Sequence, residues 1–302
     1  MNSKTVDSPK KPKSRLHRAT IGDWIIVGLM VLLIIVCIMP IMSVVATSLS
    51  APGSIARREV AFWPVNFQID SYLDVLNTQR FMRSLVWTGI LTCIVVVVNL
   101  IMTTLAAYPL TYDSLKGRKI ITLYMVFTML FNAGLIPTFV LFRDLNLLNS
   151  PLVLILPGMI SVFNMIIMRN FFFGIPDSLK ESAEIDGASP FTVLLKIYLP
   201  LSTPVLATLG LFYAVGRWNG FQDALFFMQG APEWHPIQLL LYNILNNIAA
   251  VDPMDPGGVA PSGWGQSVES AAIVIAMVPI LCVYPFAQKY FVKGATLGAV
   301  KG

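Results

Sequence analysis

The chain has 302 residues, of which 56% are hydrophobic and 12% charged, with a mean hydropathy of +0.71 and a formal net charge of +5. That is too apolar for a water-soluble domain and fits one polytopic membrane domain. The positive charge is spread over segment ends, without a basic helix or an aromatic-interleaved patch, which sets nucleic acid aside as a partner. Cys37, Cys93 and Cys282 each fall inside an apolar run, so they form neither a disulfide framework nor a metal-binding spacing.

Residues 1–21 carry Lys4, Lys10, Lys11, Lys13, Arg15 and Arg18 beside Pro9 and Pro12, the pattern of a solvated tail. The rest of the chain, 22–302, reads as one transmembrane domain. Trp24 to Ser48 is uncharged and long enough for a first span. A signal peptide is the competing reading, but this run exceeds the usual h-region of about 7–15 residues. A polar loop over 49–82 leads to a second span from Ser84 to Tyr112, closed by Lys116, Arg118 and Lys119. Ile120 to Phe142 is a third span, in which Gly134 and Pro137 predict a bend beside a cavity. Leu145 to Met168, starting near Ser150-Pro151, is a fourth, and Pro200 to about Phe221 a fifth.

Between Glu233 and Asp252, the amides Gln238, Asn243, Asn246 and Asn247 gather opposite Ile237, Leu241, Ile244 and Ile248. That spacing predicts an amphipathic helix on the outer surface rather than a seventh span. Residues 249–267 are rich in Pro and Gly and read as a long exposed loop, the end of an extracytoplasmic segment of about 223–267. Ser270 to Gln288 is the sixth span. The expected fold is therefore all-α, with six transmembrane helices.

Most of the 21 Lys and Arg residues lie in the tail, the 113–119 loop, the 169–196 region and the C-terminus, and none lies between Trp218 and Gln288. The positive-inside rule then puts both termini, and the segment between the fourth and fifth spans, in the cytoplasm. That segment is the most polar structured stretch of the membrane domain. Ser178-Leu179-Lys180-Glu181 has capping-box form, and Gly187 can supply a left-handed helix end. Ser189 and Pro190 then start a second helix, with Phe191, Leu194, Leu195 and Tyr198 on one face and Pro200 at its end. The expected product is a two-helix hook over about 177–200, bent at Gly187-Ala188.

Glu181, Ala183, Asp186-Gly187-Ala188 and Leu199-Pro200-Leu201, at this spacing, resemble the EAA loop of the membrane subunits of ABC importers. The pattern departs at Ser182, where Ala is usual. The resemblance implies that the hook docks on an ATP-hydrolysing subunit, with Glu181, Ala183, Asp186, Gly187, Ala188 and Pro200 as its coupling residues. A partnerless interfacial helix is the alternative. GLIPTF from Gly134, LNSPLVLILPG from Leu148, AVGRWNGFQDAL from Ala214 and the terminal QKYFVKGATLGAVKG are similar to carbohydrate-uptake permeases of the maltose type, in the oligosaccharide branch. That likeness implies a bacterial inner-membrane location, a second permease subunit, an ATPase dimer and an extracytoplasmic solute-binding protein. It also makes residues 249–267 a scoop that contacts the binding protein, through Asp252, Pro253, Asp255, Gly257 and Gly258.

No chemistry of the chain's own is expected. A phosphate-binding G-x-x-x-x-G-K-[ST] motif is absent from the sequence, so ATP and magnesium are expected on a separate subunit and no cofactor here. His17 and His235 have no nucleophile constellation beside them. An ATP-independent sugar carrier is the rival class; it would ordinarily place an acid inside a span, and the six runs hold none, with Asp223 and Glu269 read as solvated at outer ends.

The sugar path is therefore argued from rings and amides. Trp218 and Asn219, followed by Phe221 and Gln222, suit stacking on a pyranose face, although an interfacial aromatic belt explains the ring equally well. Asn132 and Asn164 either line the same cavity or bond between helices. Arg217 lies well inside the fifth span: it is either salt-bridged, with Asp223 as partner, or it receives the carboxylate of a uronate-containing oligosaccharide in its fork.

Overall fold

In a bilayer every backbone group must be satisfied within the segment, so the apolar runs of this sequence have to be helical. The computed structural model describes residues 21–131, 133–246 and 265–299, and among these the only non-helical pairing is a bridge between Ser50 and Phe67. Helix α1, Ile21–Ser48, is apolar throughout and buries only Ala46, Thr47 and Ser48. After α2, Pro52–Ala56, and α3, Asp70–Asn77, the long α4, Gln79–Ala107, runs back through the centre of the assembly. It starts earlier than the charge pattern suggested. Arg80 and Arg83 are helical, and Arg80 is buried, so the onset at Ser84 is corrected by one and a half turns.

Helices α5, Arg118–Leu130, and α6, Leu135–Asp144, meet at an angle of 112° next to Gly134, whose φ of +89° only glycine adopts freely. The fourth span opens with two 3-10 turns, Pro151–Leu154 and Leu156–Gly158, before α7, Val162–Phe172, capped by Ser161. Next come α8, Asp177–Ile185, and α9, Pro190–Val193. A π-turn over Leu194–Tyr198 then leads to α10, Leu199–Leu201. Pro200 has no N–H to give the carbonyl four residues back, and a widened turn is a common way to absorb that loss. The helix ends one residue past Pro200, at Leu201. The chain turns by 82° after Leu201 and continues as α11, Thr203–Asn219.

Helix α12, Gln222–Phe227, and α13, Ile237–Leu245, precede the last helix, α14, Gln266–Ala299, which passes through Pro279 and Pro285. Among the described residues three helices are long and apolar enough to cross a membrane alone, and three bent pairs reach that length together, which gives up to six spans with each pair taken as one. The amphipathic surface helix expected near 237–248 is corrected. In α13, Ile237, Leu239, Leu240, Leu241, Asn243 and Ile244 are all buried, packed on α4 and α14. Its first N–H is satisfied from another element, because Ile237 N donates to Thr88 Oγ1 at 2.8 Å. A long-range cap of this kind leaves no local sequence signal.

Among the described residues the buried side chains form three clusters. One, around Met165, Phe172, Tyr198 and Leu209, sits where α4, α7, the π-turn and α11 converge, at the end that carries the basic 113–119 loop. The other two, around Leu91 and Phe227 and around Phe81 and Ile237, occupy the opposite end. Polar cross-links join the spans between them: Thr103 Oγ1 to Tyr213 Oη at 2.6 Å, and Asn99 Nδ2 to Gly158 O at 2.9 Å.

Candidate functional site

Toward the end away from the basic loop, α4, α6, the 3-10 turns at 151–158, α11 and α12 enclose an open cavity of about 700 Å³. Its wall is mixed, with Phe142, Phe212, Tyr213 and Phe221 among its rings and Asn99, Asn219 and Gln222 among its polar groups. Such a surface offers hydrophobic faces and hydrogen-bonding amides, which is what a saccharide with apolar ring faces and equatorial hydroxyls needs.

The helix-end sequence Arg217-Trp218-Asn219-Gly220 distributes its side chains in different directions. Asn219 is exposed and lines the cavity, as expected. Trp218 does not line it. The ring is buried, and its Nε1 donates to Ala276 O at 3.1 Å, so it fastens α11 to α14 and has no free face for a sugar. Arg217 borders the cavity but its fork is occupied. Nη1 and Nη2 both reach the Asp223 carboxylate, Nη1 also donates to Leu154 O at 3.3 Å, and Nη2 to Gly220 O at 2.9 Å. The salt-bridged reading of this residue is the one that the geometry realises. Asp223, expected to be solvated, is instead half-buried in this pair, and its Oδ1 further accepts from Ala224 N at 3.0 Å. The pair is electrically neutral, so a ligand carboxylate would have to displace Asp223 to reach the guanidinium.

Asn164 is buried on α7 and is not part of the cavity wall, and Asn132 lies outside the described residues, as do Asp252, Pro253, Asp255, Gly257 and Gly258. Asn99 was missed by sequence reading. It is the one Asn within the apolar run of α4, and that was the available signal, since an amide in a span must find a partner or a cavity.

The hook at the opposite end is built from local rules. Gly187 has φ +79°, Gly187 N donates to Glu184 O at 3.1 Å, and Ala188 N donates to Ala183 O at 2.9 Å. These two bonds make a Schellman end for α8. Ser189 then caps α9 by accepting from Thr192 N at 3.2 Å, with Pro190 at the first helical position. The other cap differs from expectation. Helix α8 begins at Asp177 after Pro176 with no side-chain cap, so Ser178 lies within its first turn and no capping box forms. Asp177 places an acid at the helix start, favourable to the dipole.

Glu181, Asp186 and Gly187 are exposed on the hook, whereas Ala183 and Ala188 are half-buried against the first core cluster. Ile185 is 86% exposed, a large apolar side chain on an otherwise acidic knuckle. The apolar face expected from Phe191, Leu194, Leu195 and Tyr198 is corrected. The π-turn rotates the register so that Val193, Leu194 and Tyr198 go inside, while Phe191 and Leu195 stay exposed. Among the described residues no cluster of His, Cys, Asp or Glu could hold a metal.

The family model described as "Binding-protein-dependent transport system inner membrane component" matches residues 100–296. The chain is 39% identical over 285 residues to the polygalacturonan/rhamnogalacturonan transport system permease protein YtcP of Bacillus subtilis (strain 168), covering 93% of this chain and 98% of that one. It is 40% identical over 269 residues to Protein LplC of the same organism, covering 88% and 90%. Among solved structures, a bacterial ABC transporter involved in the import of the acidic polysaccharide alginate matches with a TM-score of 0.80 at 34% identity, over 91% of this chain and 99% of that one.

Proposed function

Because this chain belongs to the family of inner membrane components of binding-protein-dependent transport systems, we propose that its cavity is one wall of the path for an oligosaccharide and its hook the point where ATP hydrolysis drives that path. The protein is a multi-pass permease subunit of an ABC importer, and it is not itself an enzyme. The likeness to such importers speaks against the ATP-independent carrier.

In our reading the path is completed by a second permease, the oligosaccharide is delivered by an extracytoplasmic binding protein, and ATP with magnesium is held by a separate ATPase dimer. The 249–267 segment is the contact with the binding protein. Both termini and the hook face the cytoplasm, on the strength of the Lys and Arg distribution. Coupling is assigned to Glu181, Ala183, Asp186, Gly187, Ala188 and Pro200. The observation that carries this reading is the hook itself: an exposed, acidic two-helix knuckle with a bare Ile185, at the opposite end of the molecule from the cavity. Nothing in the isolated subunit requires it to be exposed.

The substrate we propose is an oligosaccharide containing uronic acid. Support comes from the relatives, which are named for polygalacturonan/rhamnogalacturonan and for alginate. Arg217 does not serve as the carboxylate receptor in this reading, since Asp223 already fills it. Its part is to fix the cavity wall by tying Leu154, Gly220 and Asp223 to α11. Asn219 and Gln222, both exposed on the cavity wall, then supply the polar contacts in this half of the path, with the buried Asn99 bonded to Gly158. The test is to reconstitute the complete importer in vesicles and present its binding protein with neutral or uronate-containing oligosaccharides. Stimulated ATP hydrolysis and uptake with the acidic sugar are expected; stimulation by neutral sugar alone would overturn the substrate assignment.

A further inference from the structure

Where α4 ends above the hook, Tyr108 is buried to 6% exposure and boxed by ring edges. Its ring meets Tyr112 at 5.3 Å, Tyr198 at 5.1 Å and Phe172 at 6.3 Å between centroids, all near perpendicular. Those four rings come from four places: Tyr108 just past the end of α4, Tyr112 just past the 3-10 turn Pro109–Thr111, Phe172 in α7 and Tyr198 in the π-turn. The hydroxyl group has an equally specific place. It donates to the carbonyl of Pro190 at 3.0 Å and lies 2.6 Å from the Tyr112 hydroxyl. A phenol has one proton, and a carbonyl can only accept, so the proton of Tyr108 goes to Pro190 and Tyr112 donates to Tyr108. Tyr112 in turn lies under the ammonium of Lys180 in α8, at 3.7 Å. A chain of contacts therefore runs from α8 through Tyr112 and Tyr108 to the first residue of α9, crossing the Gly187 bend from the membrane side.

We infer that Tyr108 is a positioning residue of the transport cycle, whose hydroxyl ties the second half of the hook to the cytoplasmic end of α4 so that movement of the hook is passed to the spans around the cavity. The inference rests on the coupling role proposed above for the hook. Its ring could serve packing alone, as any buried aromatic does. The hydroxyl is different: nothing in the packing requires it, it spends its only proton on a carbonyl that also accepts from Leu194 N within α9, and α4 is the span that contributes Val95 and Asn99 to the cavity.

Tyr108→Phe keeps every ring contact and removes only the tie. In the reconstituted importer, sugar transported per ATP hydrolysed is measured for the parent, Tyr108→Phe, Tyr112→Phe and Gly187→Val. For Tyr108→Phe the rate of ATP hydrolysis is expected to hold while sugar per ATP falls about fivefold, the scale of one lost hydrogen bond. Tyr112→Phe keeps the bond to Pro190 and is expected to lose less. A Tyr108→Phe importer with the parent's sugar-to-ATP ratio, beside a Gly187→Val importer that has lost it, overturns the role of Tyr108 and leaves the hook's role standing. The parent's ratio in both overturns the hook's role and this inference with it. Should the variant complex assemble poorly, amide exchange over residues 189–194 in the detergent-solubilised subunit gives a second reading. Faster exchange in Tyr108→Phe than in the parent is expected, and equal exchange overturns the tie.

Discussion

The two ends of the helix assembly are held by different kinds of bond. At the hook the bonds that set its shape are local: the Gly187 end of α8 and the Ser189 cap of α9 are written within the segment that they shape, and the long-range bond from Tyr108 to Pro190 ties that finished shape to α4. At the cavity end the decisive bonds cross from one element to another: Arg217 to Leu154, Trp218 to Ala276, Thr88 to Ile237. The contrast separates a part that can move as a unit, with its own internal geometry, from a part whose geometry exists only when the spans are assembled. It also sets where substitutions should act on coupling and where on assembly.

The largest effect is expected at Gly187. A β-carbon there meets open space, so the penalty is purely the left-handed backbone, and a β-branched residue resists it most. Gly187→Val should abolish sugar-coupled ATP hydrolysis in the reconstituted importer while the subunit still inserts, and Gly187→Asn, which tolerates that conformation better, should keep a measurable part of it. Parent-rate transport in the Val variant would sink the idea that this bend couples the two activities.

Arg217→Lys should act on assembly. Lysine cannot span Leu154 O, Gly220 O and Asp223 together, and the loss of about 1–3 kcal/mol should lower the thermal midpoint of the detergent-solubilised subunit. Uptake of neutral and acidic oligosaccharides should fall by the same factor. A selective loss of the acidic sugar would instead mean that the guanidinium exchanges Asp223 for substrate.

A smaller, pH-dependent effect belongs to His235, which is buried near α13. Burial pushes its pKa below 6.5; the bond to Met228 O, 2.8 Å from Nε2, works the other way, as does Glu233, while Arg80 and Arg83 add to the lowering. With its folded-state pKa depressed, the ring is protonated first in the unfolded chain. Stability from this site is thus complete above 6.5 and declines as pH falls from 6.5 toward the lower folded value. Thermal midpoints between about pH 7.5 and 5 should fall less steeply in His235→Gln than in the parent. The smallest effect is expected from Ser189→Ala, about 1 kcal/mol of local helix-start stability, visible as faster amide exchange in α9 with transport nearly intact.

The same contrast explains what could be read from the sequence. Six spans, the Gly134 break, the left-handed Gly187 and the Ser189-Pro190 start were all legible because each depends on residues a few positions apart. The capping box at Ser178 failed for a local reason, since Pro176 lets the helix begin at Asp177. The face of the second hook helix failed because a π-turn shifts the register, and helical-wheel spacing assumes 3.6 residues per turn. At the cavity end the errors have one cause. Trp218 and α13 looked like interface or surface groups because their partners, Ala276 and Thr88, lie 58 and 149 residues away on elements that no spacing rule connects, whereas the Arg217–Asp223 pair, six residues apart, was legible as one of two alternatives.

The 82° turn between α10 and α11 has a mechanical consequence. It is bridged by Ser202 N to Tyr198 O at 2.9 Å and by Thr203 Oγ1 to Pro200 O at 2.8 Å, bonds that link the two arms across the elbow. An elbow acts as a bell crank: a displacement of the short arm along the membrane normal becomes a sideways sweep of the long one. The long arm, α11, has 17 residues and so reaches about 25 Å. Rocking it by about 10° carries its far end, where Asn219 meets the cavity, through about 4 Å, roughly half the spacing of packed helices. A small rotation of the short arm is thus enough to change the cavity's width, with no helix unwound.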